Sequence, residues 1–488
     1  MMSIDEIRLS VSRAIPDELK SELGQYMTPS ATANFMASLF SQRNIRQLRL
    51  LDPGAGIGAL SVAFLDKLAR SDNHPETVST TVCEIDSTMR KELAGVLSRY
   101  VGYRTDINIE SGDFIETAVN WLQFDTERRF THVIMNPPYK KISRSSRHRK
   151  LLRNVGIETV NLYSAFVALA LKLLSRGGEL VAIIPRSFCN GPYYKAFRDI
   201  ILSHSAIRHI HLFESRGKAF KDDHVLQENI IIKLERSAVQ SEVVVSYSSD
   251  DKFNDYTQKA WPFSQIVHKI DPERFIHIPT SEDQNRITNV KEICHTLGDI
   301  GLEVSTGPVV EFRVKEFLRK APEPNTVPLL YPSHFSHDGN VWPIHNHKRP
   351  NAIVNNDTTL KWLYPIGYYC VVKRFSSKEE KRRITASVVN PELFGSAKAI
   401  GFENHINVFH EAKSPIQKTL AYGLAAFLNT TVVDQYFRMF NGHTQVNATD
   451  LRKLRYPSRE VLEELGKWVL SQGSFSQDKL DAKIGELK

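Results

Sequence analysis

Cysteine is scarce and scattered: Cys83, Cys189, Cys294 and Cys370 are the four in 488 residues. No two form a Cys-x-x-Cys pair, and none has histidines at zinc-ligand spacing. That excludes a zinc-ribbon or disulfide-stapled design and leads us to expect reduced thiols in a cytoplasmic protein. A Pro-Cys pair is also missing, so the thiolate needed to attack C5 of a cytosine has no source. A nuclease carboxylate set of the PD…ExK kind is lacking. "PIHNHKRP" (343–350) spells H-N-H, but a tripeptide is not a ββα-metal fold, and His345 and His347 lack partners for zinc. Long apolar runs are absent. The most apolar helix-like stretch, "LYSAFVALALKLL" (162–174), is short and carries Lys172, which fits a core helix rather than a membrane span. The opening "MMSIDEIRLS" is too polar for a signal peptide. No internal repeat or low-complexity tract stands out.

What is present is length, a basic balance and a regular alternation. A chain of 488 residues exceeds one core, so two domains are expected. The net charge of +8 permits a polyanionic partner without requiring one. The first half alternates strand and helix signals: "LRLLDPGAG" (48–56), "GALSVAFLDKLAR" (58–70), "VSTTVCEID" (78–86), "TMRKELAGVLSRY" (88–100), "INIESGDF" (107–114) and "THVIMNPPY" (131–139). Then come a helix over 161–178 and strands over 179–188, 207–214 and 228–236. This order predicts an α/β fold, a Rossmann-like, doubly wound parallel sheet, with ligands at the carboxyl ends of the strands. We expect a first domain over 1–245, a linker over 246–289 and a mixed α+β second domain over 290–488. In the last, short strands predominate and 420–440 reads as helix.

The loops after the strands carry the chemistry. "DPGAGIG" (52–58) follows a strand and opens a helix, and its glycines let backbone approach a ligand closely. Asp52 would repel a pyrophosphate, so a zwitterionic or cationic ligand such as S-adenosylmethionine fits better. Glu84 ends the next strand, where a carboxylate can accept both hydroxyls of a ribose. Asp113 ends the third and could accept from an adenine amino group. Either acid taken alone is equally an N-cap or turn residue. Together, beside a glycine loop, they indicate an adenosyl site.

"NPPY" (136–139) closes the fourth strand. Pro137 and Pro138 cannot donate to a ladder and hold an extended turn. Asn136 can then present its side-chain carbonyl beside the carbonyl of Pro137. Two acceptors in line suit one exocyclic –NH2, whose nitrogen they pull towards tetrahedral geometry. Tyr139 offers a face for stacking. This is catalysis by positioning and preorganised dipoles. The basic run "KKISRSSRHRK" (140–150) follows directly and suits a phosphate backbone.

The ordered set of Gln25-Tyr26-Met27-Thr28-Pro29, "DPGAGIG", "NPPY" and a variable C-terminal half resembles the adenine-specific, amino-methylating DNA methyltransferases of the gamma order, in particular their PstI/BsuBI restriction-modification group. The resemblance spans most of the chain. It implies that Thr28 and Pro29 border the methionine end of S-adenosylmethionine, and that Asp52, Gly54 and Gly56 cradle its backbone. Glu84 would hold the ribose, Ile85 would pack on the adenine ring and Asp113 would bind its amino group. Asn136 and Pro137 would hold the N6 of a target adenine flipped out of duplex DNA. Tyr139 and Phe220 would sandwich that base, with Phe213 a competing candidate. It further implies a C-terminal target-recognition domain, a CTGCAG site, a monomer, and a cognate restriction endonuclease as genetic rather than physical partner. "NGHTQVNATDLRKLRYP" (441–457) resembles segments of such recognition domains, and "VVKRFSSKEEKRR" (371–383) suits phosphate contact. RNA and protein-glutamine methyltransferases share the NPPY loop but need no large base-reading domain. A non-catalytic specificity subunit would have no need of intact loops.

Overall fold

The computed structural model describes residues 3–14, 27–72, 74–102, 104–213, 228–269, 271–279, 293–336, 339–346, 348–376, 380–441 and 444–486. They divide into two compact units, Met1–Ile278 and Pro279–Lys488.

In the first unit, helices α1 (Ile4–Ala14) and α2 (Ser30–Ser38) precede an alternating series. It runs β1 (Gln47–Pro53), α3 (Ala59–Ala69), β2 (Thr77–Cys83), α4 (Ser87–Leu97), β3 (Thr105–Glu110), α5 (Phe114–Phe124), β4 (Phe130–Met135), α6 (Arg147–Asn154), α7 (Leu162–Leu173) and β5 (Leu174–Pro185). It closes with α8 (Lys195–His204), β6 (Ser205–Phe213), β7 (Asn229–Arg236), β8 (Val243–Ser248) and β9 (Thr257–Trp261). Among the described residues these strands make one sheet in the order β3-β2-β1-β4-β5-β7-β6-β8-β9. The first five are parallel, with Leu50 opposite both Thr80 and His132. β7 lies antiparallel between β5 and β6, so the sheet is parallel over its first five strands and mixed beyond them. The β7 run Ile230-Ile231-Ile232 is buried on both faces, so its composition does not reveal its direction. β8 and β9 extend the sheet into the stretch expected to begin a linker. Apolar clusters cover both faces, one around α5, α7 and α8 and the other around α2, α3 and α4.

Strand order reverses between β1 and β4, because β2 and β3 lie on one side and β5 on the other. The glycine loop and the Asn-Pro-Pro-Tyr loop therefore leave neighbouring strand ends, where such sheets open a crevice.

The second unit carries a four-stranded sheet, β10-β20-β17-β18, from Glu303–Thr306, Ile406–His410, Tyr369–Lys373 and Ala386–Val389. A five-stranded sheet has the order β11-β15-β12-β19-β16, from Leu318–Arg319, Ala352–Val354, Thr326–Leu330, Ala399–Phe402 and Leu363–Pro365. Among the described residues its helices are α9 (Lys418–Leu428), α10 (Thr431–Phe440), α11 (Ala448–Lys453), α12 (Arg459–Gln472) and α13 (Gln477–Gly485). The stretch expected as one helix over 420–440 is two, because Thr430 is extended and caps the second by accepting from the Val433 amide. α9 and α12 cross at Gly423 and Gly466. A Cβ on Gly423 would fall 1.7 Å from the Leu462 carbonyl oxygen, and one on Gly466 would fall 1.8 Å from that of Thr419.

Candidate active site

The ends of β1, β2 and β4 open onto a cavity of about 340 Å³. Gly54 and Gly56 adopt positive φ of 75° and 56°, a backbone that L side chains avoid. The Gly54 and Ala55 amides donate to the Cys83 carbonyl at 2.8 and 2.9 Å, folding the loop over the end of β2. Gly58, at φ 88°, starts α3, and a Cβ there would lie 2.7 Å from Leu93 Cδ1.

Of the residues singled out in the sequence, Thr28, Gly54, Gly56, Glu84, Ile85, Asp113 and Asn136 line this cavity together. Glu84 is buried, and both its carboxylate oxygens are engaged, by the Gly56 amide at 2.8 Å and the Asp86 amide at 2.8 Å. Burial raises its pKa, and these two bonds oppose the rise. Each oxygen keeps a second acceptor position for a ligand hydroxyl. Ile85 beside it is 57% exposed, an unusual state for a branched aliphatic and one that suits a ring laid over it. Asp113 is at once a helix cap and a wall residue. It caps α5 by accepting from the Glu116 amide at 3.1 Å, and it stands on the cavity wall. Its Oδ2 lies 3.1 Å from His148 Nε2. Burial pushes the Asp113 carboxyl up, but the hydrogen bond and charge of His148 and the helix amides outweigh it and hold it below its ordinary value. The Asp113 hydrogen bond in turn raises His148.

Asn136 Nδ2 donates to Thr28 Oγ1 at 3.0 Å, and its Oδ1 accepts from the Tyr139 hydroxyl at 2.9 Å. That hydroxyl also lies 3.1 Å from the Ile183 carbonyl. Asn136 is thus fixed from both ends, with Thr28 supplied from the chain before α2.

Five other candidates stand off the wall. Asp52 is fully buried behind the loop, where its Oδ2 accepts from Ser61 Oγ at 2.7 Å, while Oδ1 has no hydrogen-bond partner among the described residues. Burial, aided by the charge of Glu84 and opposed by Ser61, pushes its carboxyl up to about 7. Pro29 is the N-cap residue of α2, Pro137 is buried, and the Tyr139 ring packs edge-on to Tyr163 at 6.2 Å. Phe213 is core, packed on His211 and Phe253 at 4.8 and 5.9 Å. Phe220 lies outside the described residues.

The structure adds wall residues that sequence reasoning missed: Met27, Phe114, Leu162, Phe166 and His148. His148 sits inside the basic run, where its neighbours' charge masks it. The other four are apolar and carry no signal that separates them from core. The basic run is also less free than its composition implies. Arg147 pairs with Glu116 at 3.0 Å, and Arg149 and Arg153 share Glu158 at 2.7 and 2.6 Å. Lys140, Lys141, Ser143 and Ser146 of the same stretch face the cavity.

This arrangement sets a glycine turn and two acids beside an amide held at neighbouring strand ends. The sequence model of the Eco57I restriction-modification methylase family matches residues 70–220. The type II methyltransferase M.BsuBI of Bacillus subtilis is 50% identical over 501 aligned positions, covering 99% of this chain and 97% of the relative. The type II methyltransferase M.PstI of Providencia stuartii is 43% identical over 493, covering 99% and 96%. The chain belongs to this family of type II restriction-modification methyltransferases. Among solved structures, the type IIL restriction-modification enzyme MmeI in complex with DNA superposes over 94% of this chain and 72% of its own, at TM-score 0.54 and 12% identity. The DrdV–DNA complex does so over 94% and 58%, at 0.53 and 12%. These two likenesses speak to the fold alone.

Proposed function

We propose that this protein is a site-specific adenine-N6 DNA methyltransferase that uses S-adenosylmethionine. It acts on a base flipped out of duplex DNA, and it protects host DNA from a cognate endonuclease. The observation that carries the reading is the meeting, in one cavity, of Asn136 with the Gly54–Gly56 turn and the carboxylates of Glu84 and Asp113. A cavity of about 340 Å³ is within the range for small-ligand sites. The residues fit the donor: positive-φ glycines where a side chain would intrude, a carboxylate for ribose hydroxyls, exposed Ile85 for a purine face and Asp113 for its amino group.

When bound, S-adenosylmethionine supplies a methyl group made electrophilic by its sulfonium. The chain's own part is to hold the acceptor. Asn136 Oδ1 and the Pro137 carbonyl accept both hydrogens of the target amino group, which frees the nitrogen lone pair. Thr28 keeps the Asn136 amide oriented by accepting from Nδ2. An amide oxygen accepts two hydrogen bonds, so the base and the Tyr139 hydroxyl can share Asn136 Oδ1, and the Tyr139 ring is proposed as the stacking face. Phe220 is proposed for the other face. The second unit is proposed to read sequence, with CTGCAG the expected site on the PstI/BsuBI resemblance and a monomer as the working form.

The test is expression in a host lacking adenine methylation, followed by modification-sensitive genome sequencing. N6-methyladenine at one recurring motif is expected. Folded protein that binds cofactor but leaves adenine unmodified would overturn the DNA reading in favour of an RNA or protein amide substrate.

A further inference from the structure

We propose that Phe375, His405 and Gln445 are specificity-determining residues that touch base edges of the duplex, an assignment that rests on the DNA reading above. Two stretches of the second half stand out in sequence, 371–383 for charge and 441–457 for its resemblance to recognition segments. The fold joins them. Phe375 and Gln445 form an antiparallel bridge, the Ser376 amide donates to the Thr444 carbonyl at 3.1 Å, and the Val446 amide donates to the Arg374 carbonyl at 2.7 Å. A third turn joins from the side, where the Arg374 amide donates to the His405 carbonyl at 2.9 Å.

These three turns present a mixed aromatic and polar edge. Phe375 is 48% exposed and lies against the His405 ring, with centroids 4.9 Å apart. His405 is oriented by Glu403, 2.7 Å from its Nδ1. Arg374 spans the cluster, donating to the Asn404 carbonyl at 3.1 Å and to Gln445 Oε1 at 3.4 Å. An exposed phenyl ring beside an amide, an imidazole and a guanidinium has little use in a solvated surface. It has the composition of a base-edge reader: Gln pairs with purine edges, Arg with guanine, and an aromatic ring meets a thymine methyl. The stretch that carries Phe375 also carries exposed Lys381 and partly exposed Lys373 and Arg382, which suits a polyanionic occupant.

Beneath the edge the loops are braced from inside. Arg383 is buried and donates to Ser376 Oγ at 3.0 Å and to Asn441 Oδ1 at 2.8 Å. Asn441 donates onward to the Gln445 carbonyl at 3.2 Å and to Asp450 Oδ2 at 3.1 Å. A buried, bonded guanidinium under two surface loops fixes their relative position, which direct readout needs and a solvated loop does not.

The test compares wild type with Phe375→Ala, Gln445→Ala and the near-isosteric Gln445→Glu and His405→Gln. Each full-length protein is presented with its motif duplex and with duplexes changed at one base pair. We expect at least tenfold loss of discrimination at one or two base positions, with cofactor affinity within twofold and thermal unfolding unchanged in the two near-isosteric variants. Discrimination within twofold of wild type in all four variants would overturn the assignment while leaving the DNA reading intact. Absence of sequence-specific modification by wild type would instead remove the DNA reading itself, and this assignment with it.

Discussion

The Tyr139 hydroxyl donates to Asn136 Oδ1 at 2.9 Å and so orients an oxygen that can accept two hydrogen bonds. The hydroxyl and the ring of Tyr139 thereby separate into two testable roles. Tyr139→Phe keeps the ring and is expected to retain transfer within about threefold. Tyr139→Ala is expected to lose about tenfold or more in single-turnover rate, the scale of one base–aromatic stack. Asn136→Ala removes a preorganised acceptor and is expected to cost at least ~100-fold in transfer with cofactor affinity nearly intact. A large loss of cofactor binding in Asn136→Ala would contradict its assignment to the acceptor.

The Asp113–His148 pair makes stability depend on pH in a defined sense. His148 is raised above its ordinary value of 6.5, so its contribution is complete below that value and is lost as pH rises through the raised one. Asp113 is lowered below 3.8, so its contribution is present above that value and is lost as pH falls through the lowered one. The groups facing His148 are Asp113 and Glu116 from the start of α5 and Arg147 from its own helix. Wild type is expected to melt about 2 °C above His148→Ala near pH 6, with the difference closing by pH 9. Melting curves of both proteins across that range check this, and a constant difference would contradict it.

Gly58 combines a φ of 88° with a neighbour 2.7 Å from any added Cβ. Gly58→Ala is expected to cost about 2 kcal/mol of stability from the left-handed backbone and the Leu93 contact. It is also expected to weaken cofactor binding, because the turn it ends is the cradle. Denaturant unfolding and titration calorimetry read the two effects separately.

Gly423 meets backbone rather than a yielding side chain, so α9 and α12 would have to part to admit a methyl group. Gly423→Ala is expected to destabilise the second unit by about 3 kcal/mol. Hydrogen exchange should show the loss in α9 and α12 and leave β1–β5 protected.

The legible parts of this protein are those where one residue type has few other uses. The positive-φ glycines after β1 and the paired prolines after β4 mark strand ends, the glycines because L side chains avoid that backbone and the prolines because they cannot donate to a ladder. Gly54, Gly56 and Pro138 line the cavity. Asp52 was less readable, because alternation along a strand decides whether an end residue faces ligand or core, and here it faces Ser61. β9, Thr-Gln-Lys-Ala-Trp, is exposed over its first four residues, so no apolar alternation marks it as a strand. The α10 break at Thr430 turns on one capping hydroxyl within an otherwise helical run. His148 and the edge around Phe375 arise from juxtapositions between segments distant in the chain, which no local pattern records.

All the residues that wall the cavity fall between Met27 and Phe166, and the sheet that carries them ends at Trp261. On the ribosome, then, the unit with the cofactor cradle is fully synthesised before the second unit has begun to emerge. Domains made in that order can fold in that order. Vectorial synthesis thus separates in time the assembly of the cavity from the assembly of the edge proposed to read bases.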